Sequence, residues 1–148
     1  MFLYIFYYLC IRKCYTMEKN KTRIIIAMGS NVDQNANFDH AREWLEKTFG
    51  EMSFSRSVWT EPIGMHHSDK FLNAIAVGYT RVGKEKVNLA LKNIERKCGR
   101  TAAASHMGSI AMDLDLLLFG DERCHEQDWE RDYIQELMGE LKKSELGA

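Results

Sequence analysis

An α+β fold, a ferredoxin-like β-α-β-β-α-β sandwich with an added C-terminal helix, is what this sequence predicts, and three observations carry it. Hydrophobic spacing alternates along the chain between a strand period and a helical period in that order. The 148 residues have the size of one domain, at which roughly two-thirds of the unfolded surface can be buried. No internal repeat, low-complexity segment or linker divides them, so residues 17–148 read as a single domain.

Residues 23–28 (RIIIAM) form a β-branched run stopped by Gly29, Ser30 and Asn31, the pattern of a buried strand entering a turn. Over residues 37–49, Phe38, Ala41, Leu45 and Phe49 recur near helical spacing with Trp44 beside them, and Gly50 closes the helix. Residues 52–59 alternate apolar and small polar side chains, and residues 72–80 are rich in Ala, Val, Ile and Tyr, which predicts the second and third strands. Val87, Leu91, Ile94 and Cys98 repeat at four, three and four residues, and that helix ends at Gly99. Residues 112–119 are an apolar strand carrying two acids, and residues 130–143 predict the final helix. Helices of such a fold cover one face of an antiparallel sheet and leave the other available, and the unequal loops carry any chemistry.

Composition excludes several classes of function. The chain is 45% apolar and 28% charged, and its 20 basic and 21 acidic side chains leave a net charge of -1. Both signs are interleaved on the helical segments, so no basic stripe offers itself to nucleic acid. Cys10, Cys14, Cys98 and Cys124 form no CxxC pair and no secreted framework, so reduced thiols and a cytoplasmic setting are expected, with a monomer as the default. Cys98, on an apolar helical stripe, reads as a buried structural thiol. Residues 1–16, MFLYIFYYLCIRKCYT, carry an apolar run of about ten residues, short of the roughly 20 that span a bilayer. They also lack the charge placement and small cleavage-site residues of a secretory signal, so they read as an irregular or mis-assigned N-terminal extension, with Met17 as the start of the domain and no membrane partner.

Two places in the chain carry polar groups that a structural role does not demand. Asp113 and Asp115 flank Leu114 inside an apolar strand, and alternation projects both carboxylates to one face about 7 Å apart. A buried carboxylate pair persists when a cation, a proton or basic partners compensate it, and two oxygen ligands at this spacing suit Mg²⁺; spacing alone slightly favours a solvated strand end, because DxD is short and common. Phe71 and Asn73 share one face at the start of another strand, so an aromatic plane and a bidentate amide could together hold a flat heterocycle. His66 and His67, adjacent on a loop without a third ligand, read as solvated.

Ile26-Ala27-Met28-Gly29-Ser30-Asn31, the stretch from Thr60 to Asn73, and Asp113-Leu114-Asp115-Leu116-Leu117-Leu118-Phe119-Gly120 stand in the order and at the gaps of the pterin pyrophosphokinases of folate synthesis. The chain resembles that family over roughly residues 23–141. The resemblance implies transfer of a diphosphate from ATP, as co-substrate, to the hydroxymethyl group of a dihydropterin. It implies that Asp113 and Asp115 bind Mg²⁺, that Thr60 and Asn73 hydrogen-bond the pterin, and that Phe71 and Tyr133 stack on its two faces. Glu95, Arg100 and Arg131 fall where the family has groups near the nucleotide, with Arg100 also among the catalytic residues. Two departures stand against this. Residues 101–110 (TAAASHMGSI) contain no arginine where the family has several, and the ATP-contacting Pro-His segment is expected to be missing between Phe119 and Glu130. Three functions follow as alternatives: an ATP-dependent diphosphotransferase, a catalytically impaired pterin-binding homologue, or a ferredoxin-like interaction domain.

Overall fold

The computed structural model describes residues 20–62 and 69–147. His66 and His67, and the N-terminal extension read over residues 1–16, lie outside the described residues. The strands are β1 (Thr22–Ser30), β2 (Ser53–Phe54), β3 (Val58–Thr60), β4 (Phe71–Thr80), β5 (Asp113–Phe119) and β6 (Glu122–Arg123). The helices are α1 (Gln34–Phe49), α2 (Lys84–Lys97), α3 (Ala102–His106) and α4 (Asp132–Gly147), with a 3-10 turn at Glu126–Glu130. All six strands join one antiparallel sheet in the order β2-β4-β1-β5-β6, with β3 also on β4. This is the expected ferredoxin-like α+β arrangement.

The central strand is apolar on both sides because both faces of the sheet are covered. Ile24, Ile26 and Met28 of β1 join Leu114 and Leu116 of β5 against Phe38, Ala41 and Leu45 of α1 and Val87, Leu91 and Ile94 of α2. Ile25 and Ala27 point the other way, into a smaller cluster with Ile75, Leu117 and the α4 residues Ile134 and Leu137. Among the described residues the C-terminal helix covers only part of the second face, and Asp113 and Asp115 project beside it.

Three elements differ from the sequence expectation. The strand expected over residues 52–59 is two short pieces, because the pairing register shifts by one residue between Phe54↔Ala76 and Val58↔Asn73. Ser55 repairs the break: its N–H donates to the Ile75 carbonyl (2.9 Å) and its Oγ accepts the Ile75 N–H (2.9 Å). The final helix begins at Asp132 rather than at residue 130, because Arg131 takes an extended backbone between the 3-10 turn and α4. Residues 101–110, where no helix was predicted, contain α3, whose N-terminus is capped by Thr101 Oγ1 accepting from the Ala104 N–H (3.1 Å).

Candidate functional site

Sheet register determines how the site is assembled. Asn73, Gly29 and Asp113 stand side by side in one row across β4, β1 and β5, and Ile75, Ala27 and Asp115 form the next row on the same face. Ala27 and Gly29 are thus a floor of small residues, with an amide on one side and two carboxylates on the other. With strands about 4.8 Å apart, the Asn73 and Asp113 walls are separated by roughly 10 Å. A pocket of about 490 Å³ opens over this floor. Thr60, Phe71, Asn73 and Tyr133, the four residues expected to hold a ring, all line it, as do Asp113, Asp115 and Arg131. Glu95 and Arg100 do not; Arg100 meets the pocket through its bond to Asp113.

On the β4 side the protein holds its own polar groups in place. Asn73 Nδ2 donates to Thr60 Oγ1 (2.8 Å) and to the backbone carbonyls of Val58 (3.2 Å) and Phe71 (3.3 Å). The amide can therefore face only one way, with Oδ1 turned toward β1. A Cβ on Gly29 would come to 3.4 Å from Asn73 Oδ1 and 3.7 Å from the Phe71 ring, so a hydrogen at this position leaves the gap between them open. Across the pocket, burial pushes the Tyr133 phenol up from its ordinary value and Arg131, whose Nη1 lies 3.5 Å from the hydroxyl, pulls it back.

Charge dominates the β5 side. Arg100 Nη1 donates to Asp113 Oδ1 at 2.7 Å. Asp115 is pushed up from the ordinary aspartate range to about 6, by burial first and by the neighbouring Asp113 carboxylate second. Such a group calls for a proton or a cation. Two hard carboxylate oxygens fit Mg²⁺, which completes its shell with water and phosphate; among the described residues no set of three His, Cys, Asp or Glu side chains could hold a metal unaided. Arg131 is paired with Asp128 (2.9 Å).

Sequence inspection missed three contributors. Asn31, buried at 3% exposure, clasps the loop expected to lack phosphate-binding groups. Its N–H donates to the Ile110 carbonyl (3.1 Å), its Oδ1 accepts the Ile110 N–H (2.7 Å), and its Nδ2 donates to the Gly108 carbonyl (2.7 Å). The clasp sets Ile110 in the pocket wall. Asp128 also lines the pocket, from a 3-10 turn that periodicity does not reveal. Finally, the link between Phe119 and Glu130, where the ATP-contacting Pro-His segment was expected to be missing, is a tight β5–β6 hairpin followed by His125, which draws the Asp115 pKa back down. The Gly-Ser-Asn turn was the one available signal for Asn31. A lone histidine in a shortened link gave none.

Comparison with known proteins gives a consistent set of relatives. A family model described as 7,8-dihydro-6-hydroxymethylpterin-pyrophosphokinase matches residues 25–143. A "Folate synthesis bifunctional protein" of Arabidopsis thaliana is 31% identical over 121 residues, covering 75% of this chain and 25% of its own length. The mitochondrial bifunctional protein of Pisum sativum is 30% identical over 128 residues, covering 80% of this chain and 25% of its own length. A 2-amino-4-hydroxy-6-hydroxymethyldihydropteridine pyrophosphokinase of Porphyromonas gingivalis is 28% identical over 127 residues, covering 76% of this chain and 85% of its own length. The chain spans about a quarter of the length of the plant relatives it matches.

Proposed function

We infer the function from one premise: this chain belongs to the 7,8-dihydro-6-hydroxymethylpterin-pyrophosphokinase family, whose model covers residues 25–143. The proposed activity is transfer of a diphosphate from MgATP to 6-hydroxymethyl-7,8-dihydropterin in folate biosynthesis, by a monomer in the cytoplasm. The observation that carries it is the pair of rows across the sheet, which sets a fixed amide and two carboxylates on opposite sides of one small-residue floor. The free thiols of Cys98 and Cys124 agree with a reducing compartment. No helix among the described residues is long and apolar enough to cross a membrane.

In this reading Asn73 and Thr60 fix the edge of the pterin, and Phe71 and Tyr133 cover its two faces. That positioning aims the hydroxymethyl oxygen across the floor toward the carboxylate wall. The oxygen attacks the β-phosphorus in line, the bond from that phosphorus to the α,β-bridging oxygen breaks, and AMP leaves with the electron pair while the hydroxyl proton passes to solvent. No covalent enzyme intermediate is required, so the residues act by positioning and charge. Asp113 and Asp115 would hold Mg²⁺, which neutralises the triphosphate when bound. Arg100 bonds Asp113 directly, and Arg131 lines the same pocket as both carboxylates.

A second reading, a pterin binder with impaired catalysis, is favoured by one specific observation. Ile110 stands in the pocket wall, and among the described residues the lining carries six carboxylates (Glu61, Asp113, Asp115, Asp128, Glu130 and Asp132) against the one guanidinium of Arg131. An ATP triphosphate is repelled by such a wall unless divalent cations offset it. The deciding assay follows AMP release with hydroxymethyl-dihydropterin and MgATP together and with each omitted. Release that requires both substrates supports the transferase, whereas calorimetric pterin binding without AMP release selects the binder.

A further inference from the structure

Glu95 was expected near the nucleotide; its side chain is 4% exposed and is not part of the pocket lining. β5 is paired with β1 along its length but with β6 only at Leu118 and Phe119, so beside the two aspartates its outer edge has no strand partner among the described residues. The Leu114 N–H, between Asp113 and Asp115, donates to Glu95 Oε1 at 2.8 Å. A carboxylate from α2 thus does the work of a neighbouring strand at the one residue that separates the two acids.

The same residue also holds Arg100. Just beyond α2, Gly99 takes φ +95°, its N–H donates to the Arg96 carbonyl (3.0 Å), and the Arg100 N–H donates to the Glu95 carbonyl (3.1 Å). This six-to-one closure turns the chain back on itself, and it brings the Arg100 guanidinium to 3.2 Å from Glu95 Oε1. Arg100 Nη1 then reaches Asp113 Oδ1 at 2.7 Å. Lys92 Nζ, 3.2 Å from Glu95 Oε2, adds a second cation to the buried carboxylate.

We propose that Glu95 is a positioning residue for the cation site: it offsets the charge of Arg100 so that Asp113 can accept a divalent ion without touching nucleotide itself. The inference rests on the metal-dependent reading above. With Glu95 present, the guanidinium is shared between two carboxylates and its repulsion of an incoming ion is balanced. Without that charge, Arg100 binds Asp113 alone and opposes the ion at close range.

Mn²⁺ binding to the full chain without nucleotide, followed by calorimetry and by the loss of free-ion paramagnetic signal, tests this. Glu95→Gln keeps an acceptor for the Leu114 N–H but removes the charge, and it should weaken Mn²⁺ binding about tenfold, in the usual range of site-to-site coupling. Adding Arg100→Gln should restore affinity to within about threefold of the unaltered chain, because both charges are then absent. Arg100→Gln alone should tighten Mn²⁺ binding, which keeps the inference testable even where the Glu95 variant folds poorly. Unchanged Mn²⁺ affinity in Glu95→Gln, a weakening that Arg100→Gln fails to reverse, or no tightening in Arg100→Gln alone would each overturn it. So would a Glu95→Gln chain that loses only affinity for an ATP analogue, since that identifies a direct nucleotide contact. A chain that shows this linkage but releases no AMP overturns the diphosphate-transfer reading and leaves the role of Glu95 standing.

Discussion

On the β4 wall of the pocket, Asn73 Nδ2 is committed to Thr60 and to two backbone carbonyls, and the amide waits in one orientation. On the β5 wall, Asp113 has Arg100, while Asp115 sits near pH 6 because burial and its neighbour oppose its charge. Neutral polar groups can be satisfied by the fold itself, since each hydrogen bond is local and short. Buried charge is different: balancing it takes a full opposite charge or a proton at close range, and here Arg100 balances Asp113 while Asp115 keeps a raised pKa. One wall is therefore satisfied within the fold, and the other keeps a carboxylate whose charge the fold opposes.

The comparison can be broken most sharply at Asp115. Asp115→Ala should lower AMP release by about 10³-fold or more while leaving the fold intact, as expected when charge stabilisation in phosphoryl transfer is lost; near-normal turnover in a steady-state assay would show that the charged wall is not the reacting one. Ile110→Arg, alone or with Ala102→Arg, adds a further cation beside this wall. Turnover should rise by one to three orders of magnitude, on the order of the effect of one well-placed guanidinium, with pterin affinity by calorimetry unchanged. On the neutral wall Asn73→Ala should weaken pterin binding by about 1–3 kcal/mol, because polar ring atoms are then buried without a partner. A weaker effect than this would mean that the preset amide does not meet the ring.

The smallest expected effect separates stability from function. Because the folded pKa of Asp115 lies above its unfolded value, the folded chain holds a proton that the unfolded chain has released between about pH 4 and about pH 6. Stability from this group therefore falls as pH rises through that window, and the penalty is fully present above it. Asp115→Asn cannot ionise and should be more stable than the unaltered chain by about 1 kcal/mol at pH 7, a value reduced for partial solvent screening. That advantage should fade toward pH 4 in thermal unfolding without divalent ions, and Mg²⁺ should stabilise the unaltered chain only.

Much of this was legible in the sequence because it depends on local rules. Periodicity placed β1, α1, β4, α2 and β5 within a few residues of where they lie, since apolar spacing and turn residues act over neighbouring positions. Alternation along β5 put Asp113 and Asp115 on one face, and the same rule paired Phe71 with Asn73. The edge strand was read as continuous because a one-residue register shift leaves no mark in apolar alternation once a serine side chain stands in for the ladder. α3 and the 3-10 turn at Glu126–Glu130 escaped because neither is long enough to show a period.

What the sequence by itself determined is the order of elements, the apolar central strand and which side chains share a face; these follow from backbone geometry and the burial of apolar surface. What only the tertiary structure decided is who neutralises whom. Glu95 meets Leu114 and Arg100 because a glycine at the end of α2 reverses the chain. Asn31 meets Ile110 across 79 residues, and Tyr133 meets the Phe71 wall from the far end of the chain. Charge and hydrogen-bond satisfaction are set by distance in space, and in this chain the distances that matter join residues far apart in sequence.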